Sequence, residues 1–319
     1  MFQTLLIIYS YMVAKAETPV DDSLRKGHVT VALSAYNAER TIERAIASIL
    51  DQSYRDLTLY VVNDASTDRT GDVVRAMIDC LGDSRLHLVS HQINRGTYAA
   101  KNLVLAKFAN SEFYAHQDAD DFSHQKRFAS QIEFLRSHPG CAACGTAIDE
   151  FYLDTAFEPK FSARTPAFFS NDDNCYHRHN IYPANVTAEE VLSTRPVTEL
   201  KLAMNGSLMF RTACVKAIGC FDGRTVLGAD TDMLMRLAMK HEVCNLPQIL
   251  YSRYFHAASL TGASGTGFDS EVRKTYAAKL EQWRAAVREA HLCHDAGRLA
   301  ELLQRDCHFD QETSYPQKV

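Results

Sequence analysis

Neither a Gly-x-Gly-x-x-Gly nor a Gly-x-x-x-x-Gly-Lys-Ser/Thr run occurs anywhere in the 319 residues. A phosphate cradled by the backbone N–H groups of a glycine loop is therefore not this chain's device. An excess of positive charge is also missing: 34 Lys and Arg stand against 39 Asp and Glu, a formal charge of −5. A general nucleic-acid binder rests its affinity on cations paired with phosphates, so no nucleic-acid partner is expected. Weak acidity suits a protein that handles an anionic ligand through a metal ion.

Long apolar runs are scarce. Residues 2–13 are apolar but too short to span a bilayer as a helix, and no Lys or Arg precedes them as in a signal peptide. Residues 1–27 are expected to be a leader, disordered or docked on a surface, with the folded domain starting near His28. A disulfide framework is lacking too. Nine cysteines, at 80, 141, 144, 175, 214, 220, 244, 293 and 307, are an odd number at irregular spacings, which fits reduced thiols in the cytosol. Cys141 and Cys144 form a lone Cys-x-x-Cys pair with Cys175, His177 and His179 downstream, short of the second half of a zinc-ligand pattern.

What is present is a regular alternation. Residues 29–33 read as a buried strand, followed by a helix with Ile42, Ala45, Ile46, Ile49 and Leu50 on one face. Asn37 stands where its N-cap is expected. Strands are predicted at 57–62, 86–89 and 113–115. Helix faces are predicted through Val74, Met77, Ile78 and Leu81, and through Ala99, Leu103 and Ala106. Ser123 is expected to cap a helix carrying Phe128, Ile132 and Leu135 that stops at His138-Pro139-Gly140. Short strand–helix alternation means parallel strands with crossover helices.

Polar residues follow each strand: Tyr36-Asn37, Asn63-Asp64, Asn94 and Asp118. The carboxyl ends of strands are where open α/β sheets bind ligands. Turn and cap preferences account for each singly, but not for Asp118-Ala119-Asp120-Asp121 behind a strand. Three carboxylates in four residues offer hard oxygen ligands for Mg²⁺ or Mn²⁺, and such an ion can bind a diphosphate and neutralise charge growing on it.

These residues resemble family 2 glycosyltransferases of the GT-A fold, over roughly 29–261 with 149–200 unmatched. Tyr36-Asn37 resembles the family's Tyr-Asn, and Asn63-Asp64-Ala65-Ser66-Thr67-Asp68-Arg69-Thr70 its Asp-Asp-Gly-Ser-Thr-Asp-x-Thr. Asn94-Arg95-Gly96 with Lys101-Asn102 resembles Asn-x-Gly followed by Arg-Asn, and Asp118-Ala119-Asp120 is an Asp-x-Asp. More loosely, Asn205-Gly206-Ser207, Arg211 and 219–222 resemble an acceptor-side segment. Asp230 to Arg236 resembles a Glu-Asp-x-x-x-x-x-Arg helix, and Arg253, His256 and Ser259 an Arg-x-x-His-x-x-Ser run. Ser34, Asn63, Ala65, Lys101 and Ala229 depart from the family's usual Pro, Asp, Gly, Arg and Glu.

The resemblance implies an α/β GT-A type nucleotide-diphospho-sugar transferase fold, its mostly parallel central sheet flanked by helices, over 28–267. A nucleotide-binding half (28–122) and an acceptor half (123–267) precede a helical extension (268–319) in which Tyr276, Leu280, Trp283 and Val287 form one stripe. It implies nucleotide contacts from Tyr36, Asn37, Asp64, Asn94, Gly96, Lys101 and Asp118, with Asp64 reading the base. Metal ligation is implied for Asp120, Asp118 and His256, with Mn²⁺ or Mg²⁺ as cofactor. The acceptor side would hold Asn205, Gly206 and Arg236. A base must take the acceptor hydroxyl's proton, and the motif favours Asp230 over its neighbour Asp232. The expected function is inverting, metal-dependent transfer from a UDP-sugar to a glycan or lipid-linked acceptor, in the cytoplasm or at the inner membrane face, with self-association open. An inactive nucleotide-sugar-binding protein and a nucleotidyltransferase are the alternatives. The glycine-rich 262–267 is expected to order over the nucleotide as a lid, and 171–179 to form an acceptor loop.

Overall fold

The structure, a computed structural model, describes residues 18–19, 21–153, 168–170, 175–200, 202–256, 259–261, 265–267 and 270–305. Residues 1–17 and 20 of the expected leader (1–27), half of the expected lid (262–264), four residues of the expected acceptor loop (171–174) and residues 306–319 lie outside the described residues; the first strand starts at Arg25, inside the expected leader.

The first half follows the predicted alternation: β1 (Arg25–Ala35), α1 (Ile42–Leu50), β2 (Leu57–Asn63), α2 (Thr70–Leu81), β3 (Leu86–Ser90), α3 (Thr97–Lys107) and β4 (Ser111–Asp118). β1 lies between β2 and β4, parallel to both, and β3 adds outside β2. Helices cover both faces, so β1 is buried on both. Val29, Val31 and Leu33 join a core with Ile42, Ile46 and Ile49 of α1, while Ala32 joins Leu103 and Val104 of α3 in the core beyond the other face. Each buried Ile or Leu contributes about 1.5–3 kcal/mol.

The second half runs β5 (Phe122–Ser123), α4 (Arg127–Ser137), β6 (Cys141–Tyr152), β7 (Phe168–Ser170), β8 (Cys175–Asn180), β9 (Asn185–Val186), α5 (Ala188–Leu192), β10 (Met209–Arg211), α6 (Thr212–Ala217), α7 (Ala229–Lys240), β11 (Glu242–Phe255), α8 (Glu271–Leu292) and α9 (Ala296–Leu303). The sheet order is β3-β2-β1-β4-β10-β6-β11-β5, with β10 antiparallel to both β4 and β6. The α8 stripe packs inward: Leu280 and Val287 are buried in the core, and Tyr276 and Trp283 pack against it.

Three local expectations are corrected. Thr41, not Asn37, stands at the N-cap of α1. Asn37 takes a φ of 51° and its Oδ1 accepts the Thr67 N–H at 2.8 Å, joining two loops; Asn tolerates that left-handed backbone. Ser123 ends β5 rather than capping α4. Its hydroxyl donates to Gln117 Oε1 at 2.6 Å and accepts from Arg127 at 2.7 Å. Cys141 and Cys144 lie inside β6 as core residues: Cys141 Sγ donates to Cys244 Sγ at 3.0 Å. The Cys244 contact and burial push the Cys141 thiol up, and burial pushes the Cys144 thiol up. Neither is poised as a thiolate ligand.

Candidate active site

Register decides which residues meet. Ser34 pairs with Val62 on one side and Asp118 on the other, and Asn63 pairs with Ser90. The loops after β1, β2, β3 and β4 therefore leave the sheet at one edge. α3 then links its two buried-facing carboxylates. The N–H groups of Arg95 and Gly96, just ahead of α3, donate to Asp64 Oδ1 and Oδ2 at 2.9 and 2.7 Å, and His91 Nδ1 lies 2.6 Å from Oδ1. One turn further, Lys101 Nζ donates to Asp118 Oδ1 at 2.9 Å while itself only 1% exposed.

Burial raises the Asp64 carboxyl, but the hydrogen bonds from His91, Arg95 and Gly96 outweigh it and hold the group below its ordinary range. Asp64, expected to read the base, directs its bonds to the 91–96 loop; Tyr36, Asn37 and Asn94 are the exposed members of the nucleotide set. For Asp118, burial is likewise opposed and outweighed, chiefly by Lys101 and then His116, so its carboxyl is held low.

The three carboxylates after β4 take different places. Asp120 Oδ2 stands 3.1 Å from His256 Nε2, with side chains 27% and 33% exposed, so the end of β11 brings an imidazole to the acidic turn. Arg44 donates to the Asp120 carbonyl at 2.5 Å and lies over the Tyr254 ring. Asp121 is buried and accepts from the Tyr251 hydroxyl at 2.8 Å and the Tyr254 N–H at 2.9 Å. Burial and then the charges of Asp120 and Asp118 push its carboxyl well up. It staples the turn to β11 and is neither a cap nor an open ligand.

Asn205 and Gly206 sit in a 3₁₀ turn (Asn205–Ser207) pressed against this cluster. A Cβ on Gly206 would lie 2.4 Å from the Tyr251 hydroxyl and 3.1 Å from Asp118 Oδ2, so only glycine permits this approach. The Asn205 carbonyl accepts from His116, and its buried Oδ1 has no hydrogen-bond partner. Of these groups, the Asp120 carboxylate and the His256 imidazole are in direct contact, an oxygen and a nitrogen donor of the kinds a divalent cation such as Mn²⁺ accepts.

Asp230 is half-buried in the first turn of α7, after Gly228 in a left-handed conformation (φ 79°). The Tyr98 hydroxyl of α3 donates to its Oδ1 at 3.0 Å. With Asn180, Tyr182, Val197, Leu200 and Leu202 it lines a cavity of about 160 Å³. Asp232, its rival, is buried and accepts from Arg236 Nε and from Arg305, each at 2.8 Å. Both of its carboxylate oxygens are thereby occupied. Arg236, expected on the acceptor side, is corrected by the same contacts: it is fully buried, and its other nitrogens donate to the carbonyls of Ile218 and Cys220. A guanidinium filled on every side braces α7 and cannot reach a ligand. Tyr98 and Arg44 went unnoticed in the sequence. The one available signal for Tyr98 was its place two residues beyond Gly96.

Residues 30–187 match the family model described as Glycosyl transferase family 2. That match runs on through 149–187, where no motif was recognised, and stops short of Asp230 and His256. Over 107 residues the chain is 34% identical to "UDP-Glc:alpha-D-GlcNAc-diphosphoundecaprenol beta-1,3-glucosyltransferase WfgD" of Escherichia coli, covering 34% of this chain and 40% of that protein. The chain spans 36% to 45% of the length of the first curated relatives it matches. Among solved structures, S. aureus TarS 1-349 in complex with UDP-GlcNAc aligns with a TM-score of 0.58 at 18% identity, over 86% of this chain and 71% of that one. The mannosyltransferase PcManGT from Pyrobaculum calidifontis, in complex with GDP-Man and Mn²⁺, aligns with a TM-score of 0.51 at 20% identity, over 95% and 76%. The fold is that of the GT-A glycosyltransferases.

Proposed function

Residues 30–187 of this chain belong to glycosyl transferase family 2, and from that premise we propose that the chain moves a sugar from a nucleotide-diphosphate donor to a glycan or lipid-linked acceptor, with inversion at the anomeric carbon. A uridine donor is supported by the UDP-sugars in the names of the WfgD relative and the TarS complex, and the acceptor class by WfgD's diphosphoundecaprenol. Such an acceptor would place the chain at the membrane surface. No described helix is long and apolar enough to cross a membrane.

Asp120 and His256, with Asp118 beside them, would hold a divalent cation, Mn²⁺ or Mg²⁺; bound there, it would neutralise charge on the departing diphosphate. Lys101 keeps Asp118 ionised and fixed. The observation that carries the reading is Asp230, the carboxylate of α7 that faces a cavity, held through one oxygen by Tyr98. It takes the acceptor hydroxyl's proton as that oxygen bonds to the anomeric carbon. The bond to the diphosphate breaks on the opposite side. One displacement with no enzyme nucleophile inverts the centre.

The test pairs two variants, Asp230→Asn and Asp120→Ala, with a panel of nucleotide sugars and Mn²⁺. We expect Asp230→Asn to keep the donor-induced thermal shift and lose transfer by about 10²–10⁴-fold, whereas Asp120→Ala loses the metal-dependent shift itself. Normal turnover by Asp230→Asn would remove the base assignment.

A further inference from the structure

A second cluster of ligating side chains lies on β6 and β8, none of them among the residues of the proposed transfer site. β8 pairs antiparallel with the second half of β6, setting His179 opposite Asp149 and His177 opposite Phe151. Residues two apart on a strand share a face, so both imidazoles meet the Asp149 carboxylate on one side. Their ligand atoms all lie within 4.8 Å of one another. His179 Nδ1 is 2.5 Å from Asp149 Oδ1, and His177 Nε2 is 3.5 Å from the same oxygen.

The His177 ring is held in place. It lies flat on Phe151 at 4.5 Å, and Phe151 stacks on Tyr254 of β11 at 4.9 Å. Its Nε2 is nevertheless shut off from solvent without a hydrogen bond. A buried polar atom left bare is costly and calls for a partner. Here it stands beside a carboxylate that already holds a second imidazole.

We propose that Asp149, His177 and His179 bind a divalent transition-metal cation, Zn²⁺ fitting best, as a clip between β6 and β8. Zn²⁺ takes imidazole nitrogen and carboxylate oxygen at about 2.0–2.2 Å, which sets tetrahedral ligands about 3.3 Å apart. The 3.5 Å between His177 Nε2 and Asp149 Oδ1 is close to that value, while His179 Nδ1, now in hydrogen-bond contact with the same oxygen at 2.5 Å, would draw back by somewhat under about 1 Å to share the ion. Mg²⁺ and Ca²⁺ prefer all-oxygen shells and are the poorer match. The buried Cys141 and Cys144 take no part. β8 ends at Asn180, and Asn180 and Tyr182 wall the cavity at Asp230, so the clip positions one wall of that cavity.

Dialysis of the metal-stripped full chain against Zn²⁺, followed by elemental analysis, tests this, with an Asp120→Ala background to silence the other proposed cation site. Asp120→Ala is expected to retain one equivalent of Zn²⁺ and to melt at a higher temperature with it. Adding His179→Gln, at a side chain 51% exposed, is expected to weaken Zn²⁺ binding more than about tenfold and abolish that rise, with the metal-free midpoint unchanged. Asp149→Asn is expected to weaken Zn²⁺ binding by at least as much. No Zn²⁺ retained by Asp120→Ala, or equal affinity after His179→Gln and Asp149→Asn, would overturn the assignment.

Discussion

Five aspartates of one residue type have five fates, each decided by what donates to it. Asp64 is ionised and buried under three donors, Asp118 is paired with Lys101, and Asp121 is stapled by two tyrosines. Asp232 is locked between two arginines, whereas Asp230 keeps a half-buried carboxylate on a cavity. Asp64 yields a prediction with a definite sign. Its folded-state pKa is depressed, so its stabilisation is present above the unfolded value near 3.9 and is lost as pH falls through the folded one. Asp64→Asn presents an amide to the Gly96 or Arg95 N–H. It is expected to cost about 1–3 kcal/mol at pH 7, and the gap to wild type should narrow below about pH 4 in urea unfolding. The carboxylates themselves were legible in the sequence. The choice between Asp230 and Asp232 was not legible from spacing alone, because Arg305 and Tyr98 reach them from 73 and 132 residues away.

At the scale of elements, α3 and β11 assemble the site. α3 touches Asp64 at its start, Asp230 through Tyr98 and Asp118 through Lys101. β11 supplies Tyr251 and Tyr254, and the residue that follows it is His256. The turn at Gly206 wedges between β4 and β11. Gly206→Ala would drive a methyl group against the Tyr251 hydroxyl and Asp118 Oδ2. We expect it to cost about 1–3 kcal/mol by overpacking and to weaken Mn²⁺-dependent donor binding, read by calorimetric titration of a UDP-sugar with and without the metal. The strands β1 to β4 were legible because parallel strands covered on both faces read as short apolar runs. β6, β10 and β11 were not. β6 mixes Ala, Cys, Gly and acidic residues, and β10 is only three residues long.

Across the whole molecule, the C-terminal helices close onto α7 and the segment before it. Trp283 Nε1 of α8 donates to the Leu302 carbonyl of α9 at 2.9 Å, and just past α9 the Arg305 N–H reaches the Ile218 carbonyl while its guanidinium holds Asp232. The extension thus braces the first turn of α7, where Asp230 stands. Arg305→Met leaves Asp232 with Arg236 alone; we expect a loss of about 1–3 kcal/mol in urea unfolding and a lower transfer rate with donor binding unchanged.

Strand and helix periods, their order and the polar residue behind each strand were written in the chain, because they depend on neighbours within a few positions. They determined the alternating architecture and which edge of the sheet carries the acids. Which acids stay open, that Arg236 faces inward and that two histidines meet Asp149 were decided only by the folded molecule. Burial and hydrogen bonding depend on donors brought from distant segments, and no local pattern encodes which of them will arrive.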